Sequence, residues 1–195
     1  MALYHFSVRN VSRGKGQMVV ASAAYISGQR IFDSYYNKIH DYTSKSGVIF
    51  TEILTPEYVP ERLTDRETLW NEVEHVERNN KAQLAYSFDI ALQNELTLEE
   101  NIKLAKEFCQ EQFVARGMIV DLAVHEGKSD NEEEPDNPHF HVLVPIRPFT
   151  EEGIWGNKQR REYILDEDGN RVKDAKGKEM FNAVSTTGWN DPELL

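Results

Sequence analysis

Three histidines in the second half of the chain have a spacing that suits a metal site. His139 and His141 are one residue apart, so in a β-strand both imidazoles leave the same face. His125 ends an earlier strand-like stretch, on the face opposite its apolar residues. Three imidazoles that converge from two adjacent strands can bind a divalent transition-type metal and leave positions open for a substrate oxygen. The alternative is that all three are surface histidines, since a His-x-His pair arises easily by chance.

Tyr25 is a candidate nucleophile, because it lies among small residues in a segment with basic residues on both sides. A large substrate can approach such a side chain, although an ordinary helical tyrosine packed on a sheet fits the pattern as well. A tyrosine hydroxyl has a pKa near 10 and is a poor nucleophile at neutral pH. It becomes useful where a metal polarises the electrophile and a nearby group helps to remove its proton.

Asp89 is the candidate for that nearby group. It leaves a predicted strand on the same side as Ser87 and opposite the apolar Phe88 and Ile90. In that position it can either accept the tyrosine proton or orient a metal-binding histidine. A solvated strand aspartate fits the pattern equally well.

The charge distribution is compatible with a nucleic-acid partner despite an acidic total. The 195 residues hold 22 Lys and Arg against 33 Asp and Glu, which gives a net charge of −11 and a pI near 5.0. Polyanion-binding proteins are usually basic. Residues 1–50, however, carry six Lys and Arg and two Asp, a net of +4. Four cations of this segment surround Tyr25 and are expected to contact DNA: Arg9, Arg13, Lys15 and Arg30.

The composition excludes several classes of protein. No apolar run approaches the roughly 20 residues that a membrane-spanning helix needs. The N-terminus lacks the basic and then apolar pattern of a secretory signal. The single cysteine, Cys109, excludes an internal disulfide and a cysteine-based zinc site. We therefore expect a cytoplasmic protein without membrane insertion.

Hydrophobic periodicity predicts the elements that position these residues. Strand-like alternation occurs in five stretches, namely 2–9, 47–54, 83–92, 118–125 and 139–146. Helical spacing occurs in three, namely 18–32, 63–80 and 97–116. The segment 166–170 is typical of a turn that joins 163–165 to 171–173 as a hairpin. This mixture predicts an α+β fold with a central antiparallel sheet and flanking helices, in one domain over residues 1–195.

The order and spacing of several motifs resemble the MobA/MobL relaxases of mobilisable and conjugative plasmids. The resemblance covers nearly the whole chain, and the stretch around the paired histidines is its most specific part. The matching segments are Tyr4-His5-Phe6, Gly14–Gln17, Ser22-Ala23-Ala24-Tyr25, Leu69-Trp70-Asn71, His125, Asn137-Pro138-His139-Phe140-His141, Gly156 to Tyr163, and Thr186–Asp191.

This resemblance implies a fold and a reaction. MobA/MobL relaxases are similar to HUH endonucleases, whose antiparallel sheet carries the two motif histidines on a central strand. A helix tyrosine, here Tyr25, attacks a phosphodiester of single-stranded DNA at the nic site of the transfer origin. The products are a 5′-phosphotyrosine and a free 3′-hydroxyl, and the reverse reaction rejoins the strand. The resemblance makes His125, His139 and His141 the ligands of a divalent metal, Mn²⁺ or Mg²⁺, with Zn²⁺ or Ni²⁺ as ions that a crystal can hold.

The resemblance also implies partners, and the chain departs from the family's pattern at one position. Other relaxosome proteins and the coupling proteins of type IV secretion are the expected partners, and the chain is expected to be the N-terminal part of a longer relaxase. The family usually carries a glutamate in the strand before the long helix, where this chain has Ser87, so Asp89 is the expected substitute.

Two alternatives stay open. A rolling-circle replication nickase of the same superfamily usually has its tyrosine after the His-x-His strand, whereas Tyr25 precedes it. A DNA-binding module that lost its activity would account for Ser87.

Overall fold

A central antiparallel sheet organises the first part of the molecule. A computed structural model describes residues 5–128 and 136–189, whose contacts divide between Trp155 and Gly156 into two compact units. In the first unit five strands pair in the order β1-β5-β7-β6-β4, all antiparallel. The strands are β1 Phe6–Ser12, β4 Val48–Leu54, β5 Gln83–Ala91, β6 Val120–His125 and β7 His139–Pro145. The predicted α+β fold is therefore confirmed.

Helices cover both faces of this sheet. They are α1 Val19–Ser27, α2 Arg66–Val76 and α3 Leu98–Gln112. On one face, Phe108 of α3 contacts Phe140 of β7 with ring centroids 5.8 Å apart. On the other face, buried residues of α1 and α2 share one core with Ala123 of β6 and Leu143 of β7. All six residues of β6 are buried, so the strand face opposite its apolar residues is covered by helices as well.

The helix that carries Tyr25 is shorter than predicted. It ends at Ser27 because Gly28 adopts a left-handed conformation with φ 63°, the usual geometry after a helix C-terminus. The chain then forms a hairpin of β2 Arg30–Asp33 and β3 Lys38–Asp41, which the sequence pattern assigned in part to the helix. The prediction of one continuous helix over 18–32 was therefore wrong beyond residue 27.

Capping residues fix the starts of the other two helices. The side chain of Asp65 accepts a hydrogen bond from the Thr68 backbone N–H, so α2 begins at Arg66 instead of residue 63. Thr97 and Glu100 form a reciprocal capping box at the start of α3. Local side-chain chemistry thus decides where each helix begins.

Two buried ion pairs connect the helices to the rest of the core. Arg66 of α2 donates to both carboxylate oxygens of Asp121 on β6, and the Trp70 indole N–H donates to the same carboxylate at 2.8 Å. Near the start of α1, Arg13 pairs with the buried carboxylate of Glu74 at 2.6 Å. Glu74 in turn accepts a hydrogen bond from the backbone N–H of Val19, the first residue of α1. These contacts hold α1 and α2 in place over the sheet.

The second unit begins at Gly156 and contains a separate two-stranded sheet. Its strands are β8 Gln159–Tyr163 and β9 Phe181–Ser185, which pair antiparallel. The bridge between Leu165 and Arg171 confirms the predicted turn over 166–170. Residues 190 and 191 of the Thr186–Asp191 motif lie outside the described residues. So do the first three residues of the predicted strand 2–9, of which Tyr4 is the third.

Within the described ranges, no helix is both long and apolar enough to cross a membrane.

Candidate metal centre and tyrosine site

The three predicted histidine ligands converge on one face of the sheet. His139 pairs directly with His125 across the β6–β7 ladder, and His141 lies two residues further along β7 on the same side. One ligand nitrogen from each ring lies within 4.8 Å of the others. The ring centroids are 4.6 to 5.1 Å apart. This group can hold a metal ion.

Backbone carbonyls fix two of these rings in a ligand-ready tautomer. Nε2 of His125 lies 2.7 Å from the carbonyl oxygen of Ile26, and Nδ1 of His139 lies 2.7 Å from that of Asn137. A carbonyl can only accept, so each of these nitrogens carries the proton. Nδ1 of His125 and Nε2 of His139 are left with free lone pairs, as metal binding requires.

Burial keeps two of the imidazoles neutral. Loss of hydration lowers the pKa of His125 to about 4 and that of His141 to about 4. These values include a smaller lowering of the pKa of both rings by the positive charge of Lys45, which the Asp89 carboxylate and, for His125, the hydrogen bond to Ile26 partly oppose. Neutral imidazole is the form that coordinates metals. The donor set therefore fits a divalent transition-type ion.

Asp89 lies beside this cluster, next to His141. The two residues are direct partners in the β5–β7 ladder, and the Asp89 Oδ2 lies 4.0 Å from Nδ1 of His141. That distance is too long for a hydrogen bond. Ser87 leaves β5 on the same face, two residues away.

Tyr25 occupies the last turn of α1 and is half exposed, at 49%. The ring of Tyr42 packs edge-on against it at 5.4 Å. The Lys45 ammonium lies 3.7 Å from the centroid of the Tyr25 ring and donates a hydrogen bond of 3.0 Å to the Tyr25 backbone carbonyl. Sequence reasoning missed Tyr42 and Lys45, because both follow the hairpin that was not predicted.

An open cavity of about 380 Å³ connects the tyrosine to the histidine cluster. Tyr25 and Gln17 line its α1 side, whereas Asp89, His141 and Arg9 line its sheet side. A smaller cavity of about 150 Å³ next to His139 is lined by His5 and Asp89. The structure thus brings the candidate nucleophile, the candidate base and a candidate metal ligand to one space.

The four cations predicted to contact DNA have different surroundings. Arg9 is exposed and lines the large cavity. Lys15 is exposed in a short turn before α1, and exposed Arg30 lies on the hairpin with its Nε 3.6 Å from Asp41. Arg13, by contrast, is buried.

The burial of Arg13 corrects its predicted role. Its guanidinium donates to the Glu74 carboxylate and to the backbone carbonyls of Glu74, Glu77 and Asn79. The residue therefore stabilises the core and does not face a DNA strand. No local sequence pattern indicates this burial, because the partners lie more than 60 positions away.

The chain is similar to proteins of conjugal transfer and mobilization. Residues 17–195 match the family model described as "MobA/MobL family". The chain is 35% identical to the conjugal transfer protein TraA of Agrobacterium fabrum over 97% of its own length, and it spans 18% of that protein. It is 36% identical to a probable mobilization protein MobA of Bifidobacterium longum, covering 88% of this chain and 30% of that protein.

A solved structure is also similar. The structure described as "Molecular Basis of Vancomycin Resistance Transfer in Staphylococcus aureus" superimposes with a TM-score of 0.79 at 34% sequence identity. The match covers 99% of this chain and 84% of the other.

Proposed function

Because the chain belongs to the MobA/MobL family, we propose that residues 1–195 form a relaxase domain that nicks one DNA strand at the transfer origin of a plasmid or other mobile element. The observation that carries this proposal is the shared cavity, which is lined both by Tyr25 and by His141 of the histidine cluster. A nucleophile and an electrophile-activating site must meet at one substrate atom, and this cavity is where they meet.

The proposed reaction is a transesterification at phosphorus. The Tyr25 phenol oxygen attacks the scissile phosphodiester, forming a P–O bond to tyrosine while the bond to the 3′-oxygen breaks. The phenol gives up its proton and the departing 3′-oxygen gains one, so the products are a 5′-phosphotyrosine and a 3′-hydroxyl. The energy of the broken ester is kept in the new ester. The same tyrosine linkage can therefore be attacked by a 3′-hydroxyl, which rejoins the strand after transfer.

His125, His139 and His141 would hold a divalent metal ion. Such an ion supplies positive charge that stabilises the phosphate oxygens in the transition state. Imidazole nitrogens suit transition-type ions, whereas Mg²⁺ prefers oxygen ligands and keeps several waters. Among the expected ions, the three-nitrogen donor set therefore favours Mn²⁺, Zn²⁺ or Ni²⁺ over Mg²⁺.

Two further side chains prepare the nucleophile in this proposal. Asp89 lines the cavity with Tyr25 and accepts the phenol proton, or it orients His141, its ladder partner. Lys45 holds the Tyr25 ring through a cation–π contact and fixes the backbone of the same residue. A fixed ring orientation lowers the entropy lost when the phenol meets the phosphate.

Single-stranded DNA is the proposed substrate. The exposed cations Arg9, Lys15 and Arg30 belong to the only net-positive quarter of the chain and would contact its backbone. Relaxosome proteins and type IV secretion coupling proteins are the proposed partners, and the cytoplasm is the proposed compartment. The 18% share of the TraA length supports the proposal that the chain is one domain of a longer protein.

The test is an adduct assay. A labelled oligonucleotide that covers the transfer origin of the parent element is incubated with the protein and Mn²⁺, and the covalent product is separated on a denaturing gel. We expect an adduct with the natural chain and none with Tyr25→Phe. Tyr36→Phe, which alters an exposed tyrosine of the hairpin turn, is the control and should react normally.

The outcomes separate the candidates. An adduct that persists in Tyr25→Phe assigns the nucleophile to another tyrosine. Binding without any adduct favours the non-catalytic module, for which Ser87 in place of the family's glutamate is the supporting feature. Nicking at a replication origin in preference to a transfer origin favours the rolling-circle nickase.

A further inference from the structure

The large cavity extends beyond the histidine cluster along the sheet. We propose that its far end is a second phosphate site, in which Arg9 and the hydroxyls of Ser7 and Ser87 bind a phosphodiester next to the one that Tyr25 attacks. This assignment rests on the proposed function and adds a substrate contact to it. The second phosphate site lies in a different part of the cavity from the histidine cluster.

The ladder register sets the order of the groups along this cavity. Ser7, Asp89 and His141 form one row across three neighbouring strands. Arg9 and Ser87 are direct partners in the next row on the same face, two residues from the first along each strand. At ~3.4 Å per residue the rows lie roughly 7 Å apart. The scissile phosphate at His141 and a phosphate at Arg9 would therefore be different groups of the same strand.

The three side chains proposed to bind the second phosphate have unused donors: Arg9 and Ser87 lie in the second row, and Ser7 lies in the first row, two residues from Arg9. In the described part of the chain, the Arg9 guanidinium has no hydrogen-bond or ion-pair partner, although it is one of the residues that line the cavity. The buried Ser7 hydroxyl makes no hydrogen bond there either, and the Ser87 hydroxyl forms none with the described residues. A buried polar group without a partner costs free energy that a bound ligand can recover.

The chemistry of these donors selects an anion. Arginine binds phosphate through two parallel N–H donors, and hydroxyls complete the coordination of the remaining oxygens. The one carboxylate among the cavity-lining residues in the described ranges is Asp89, which lies in the other row beside His141. The cavity thus has a proton-accepting end, at Asp89 near the histidine cluster, and a cationic end with several hydrogen-bond donors, at Arg9.

Ser87 is the feature that leaves this end cationic. Directly paired residues of an antiparallel ladder have Cα atoms roughly 4.5–5.5 Å apart, so an acidic side chain at position 87 would stand opposite Arg9 and neutralise it. The serine instead adds a hydroxyl donor. The position that departs from the family's pattern therefore contributes to substrate binding in this chain.

The test measures how the affinity for a fluorescent dT oligonucleotide depends on salt. It uses the Tyr25→Phe chain without metal, so that neither cleavage nor the metal contributes. Arg9→Gln should lower the log–log salt slope by about 0.7, the value for one phosphate contact on a single strand. The Kd should rise about tenfold at fixed salt. Lys103→Gln makes the same charge change on exposed α3 and should leave both quantities unchanged.

Two further variants test the geometry. Ser87→Glu should weaken binding at least as much as Arg9→Gln, because it places an anion opposite Arg9. Arg9→Lys should keep the salt slope and lose part of the affinity, since it keeps the charge without the paired donors. Arg9 is exposed, so thermal unfolding of its variants should match that of the parent chain.

The failures are distinguishable. An Arg9→Gln chain with the parent's slope and Kd overturns the second phosphate site while leaving nicking by Tyr25 intact. The same holds if Arg9→Gln and Lys103→Gln have equal effects, because the contribution would then be that of net charge. A parent chain that binds no single-stranded DNA overturns both the site and the proposed function.

Discussion

The histidine cluster and the tyrosine helix reach the same cavity by different means. The histidines are attached to two paired strands, and their geometry follows from register alone. Tyr25 is attached to a short helix whose two ends are held by distant groups, Glu74 at the start and Lys45 near the end. One half of the site is thus built into the sheet, whereas the other half is assembled from separate parts of the chain. The two halves should respond differently to mutation.

The largest expected effect is at the histidine half. His139→Ala or His141→Ala should remove metal binding and abolish adduct formation, because two imidazoles are a weak site. Metal binding is measured by calorimetric titration with Mn²⁺, and cleavage is measured by the gel assay. His75→Ala alters an exposed histidine of α2 and should change neither. A His139 variant that cuts at the normal rate would show that the metal site is misassigned.

Chelation makes the same point without mutation. EDTA should stop adduct formation by the natural chain, and added Mn²⁺ should restore it. Full activity in EDTA would contradict a metal-assisted reaction.

Asp89→Asn is expected to slow adduct formation by roughly 10² to 10⁴, the usual contribution of a general base. The adduct should still form, because the nucleophile and the histidines remain. Single-turnover rates measure the effect, and Mn²⁺ affinity shows whether Asp89 acts through His141 or on Tyr25. Unchanged rates would show that Asp89 is not the general base, so that the metal ion would be the only group proposed to assist attack by Tyr25.

Arg13→Gln tests what holds the tyrosine helix. It leaves the Glu74 carboxylate buried without its partner, so the free energy of unfolding should fall by about 3–5 kcal/mol. Urea unfolding measures this loss. Arg30→Gln breaks the exposed pair with Asp41 and should cost less than about 1 kcal/mol. Equal losses in the two variants would contradict the structural role of Arg13.

Lys45→Met should have the smallest effect. Loss of the cation–π contact is worth about 1 kcal/mol, which slows attack by Tyr25 roughly fivefold. Mn²⁺ affinity should not fall, since the lysine positive charge only opposes protonation of the rings. Lys45→Arg should recover most of the rate. A Met variant that loses metal binding would place Lys45 in the histidine half instead.

The same contrast explains what sequence could and could not predict. Strand alternation has a period of two, so His139 and His141 could be assigned to one face without any knowledge of the fold. The neighbours of Tyr25 could not be found this way, because Lys45 reaches it only through the turn at Gly28 and the hairpin that follows. Arg13 was assigned to the surface from charge alone, whereas its acceptors come from residues 74 to 79. Hydrophobic periodicity thus predicts the strand face from which a side chain projects, whereas the burial of a charged residue such as Arg13 depends on contacts with residues distant in the sequence.

The hydrogen bond from His125 to the carbonyl of Ile26 joins the two halves of the site. Ile26 follows Tyr25 directly, so the ring that offers Nδ1 to an ion also anchors the turn that carries the phenol. Two equilibria that share a bond obey thermodynamic linkage, and each must shift the other by the same factor. If the cluster holds the proposed metal ion, a DNA strand that favours the docked turn of α1 would therefore strengthen binding of that ion, and release of the strand would weaken it.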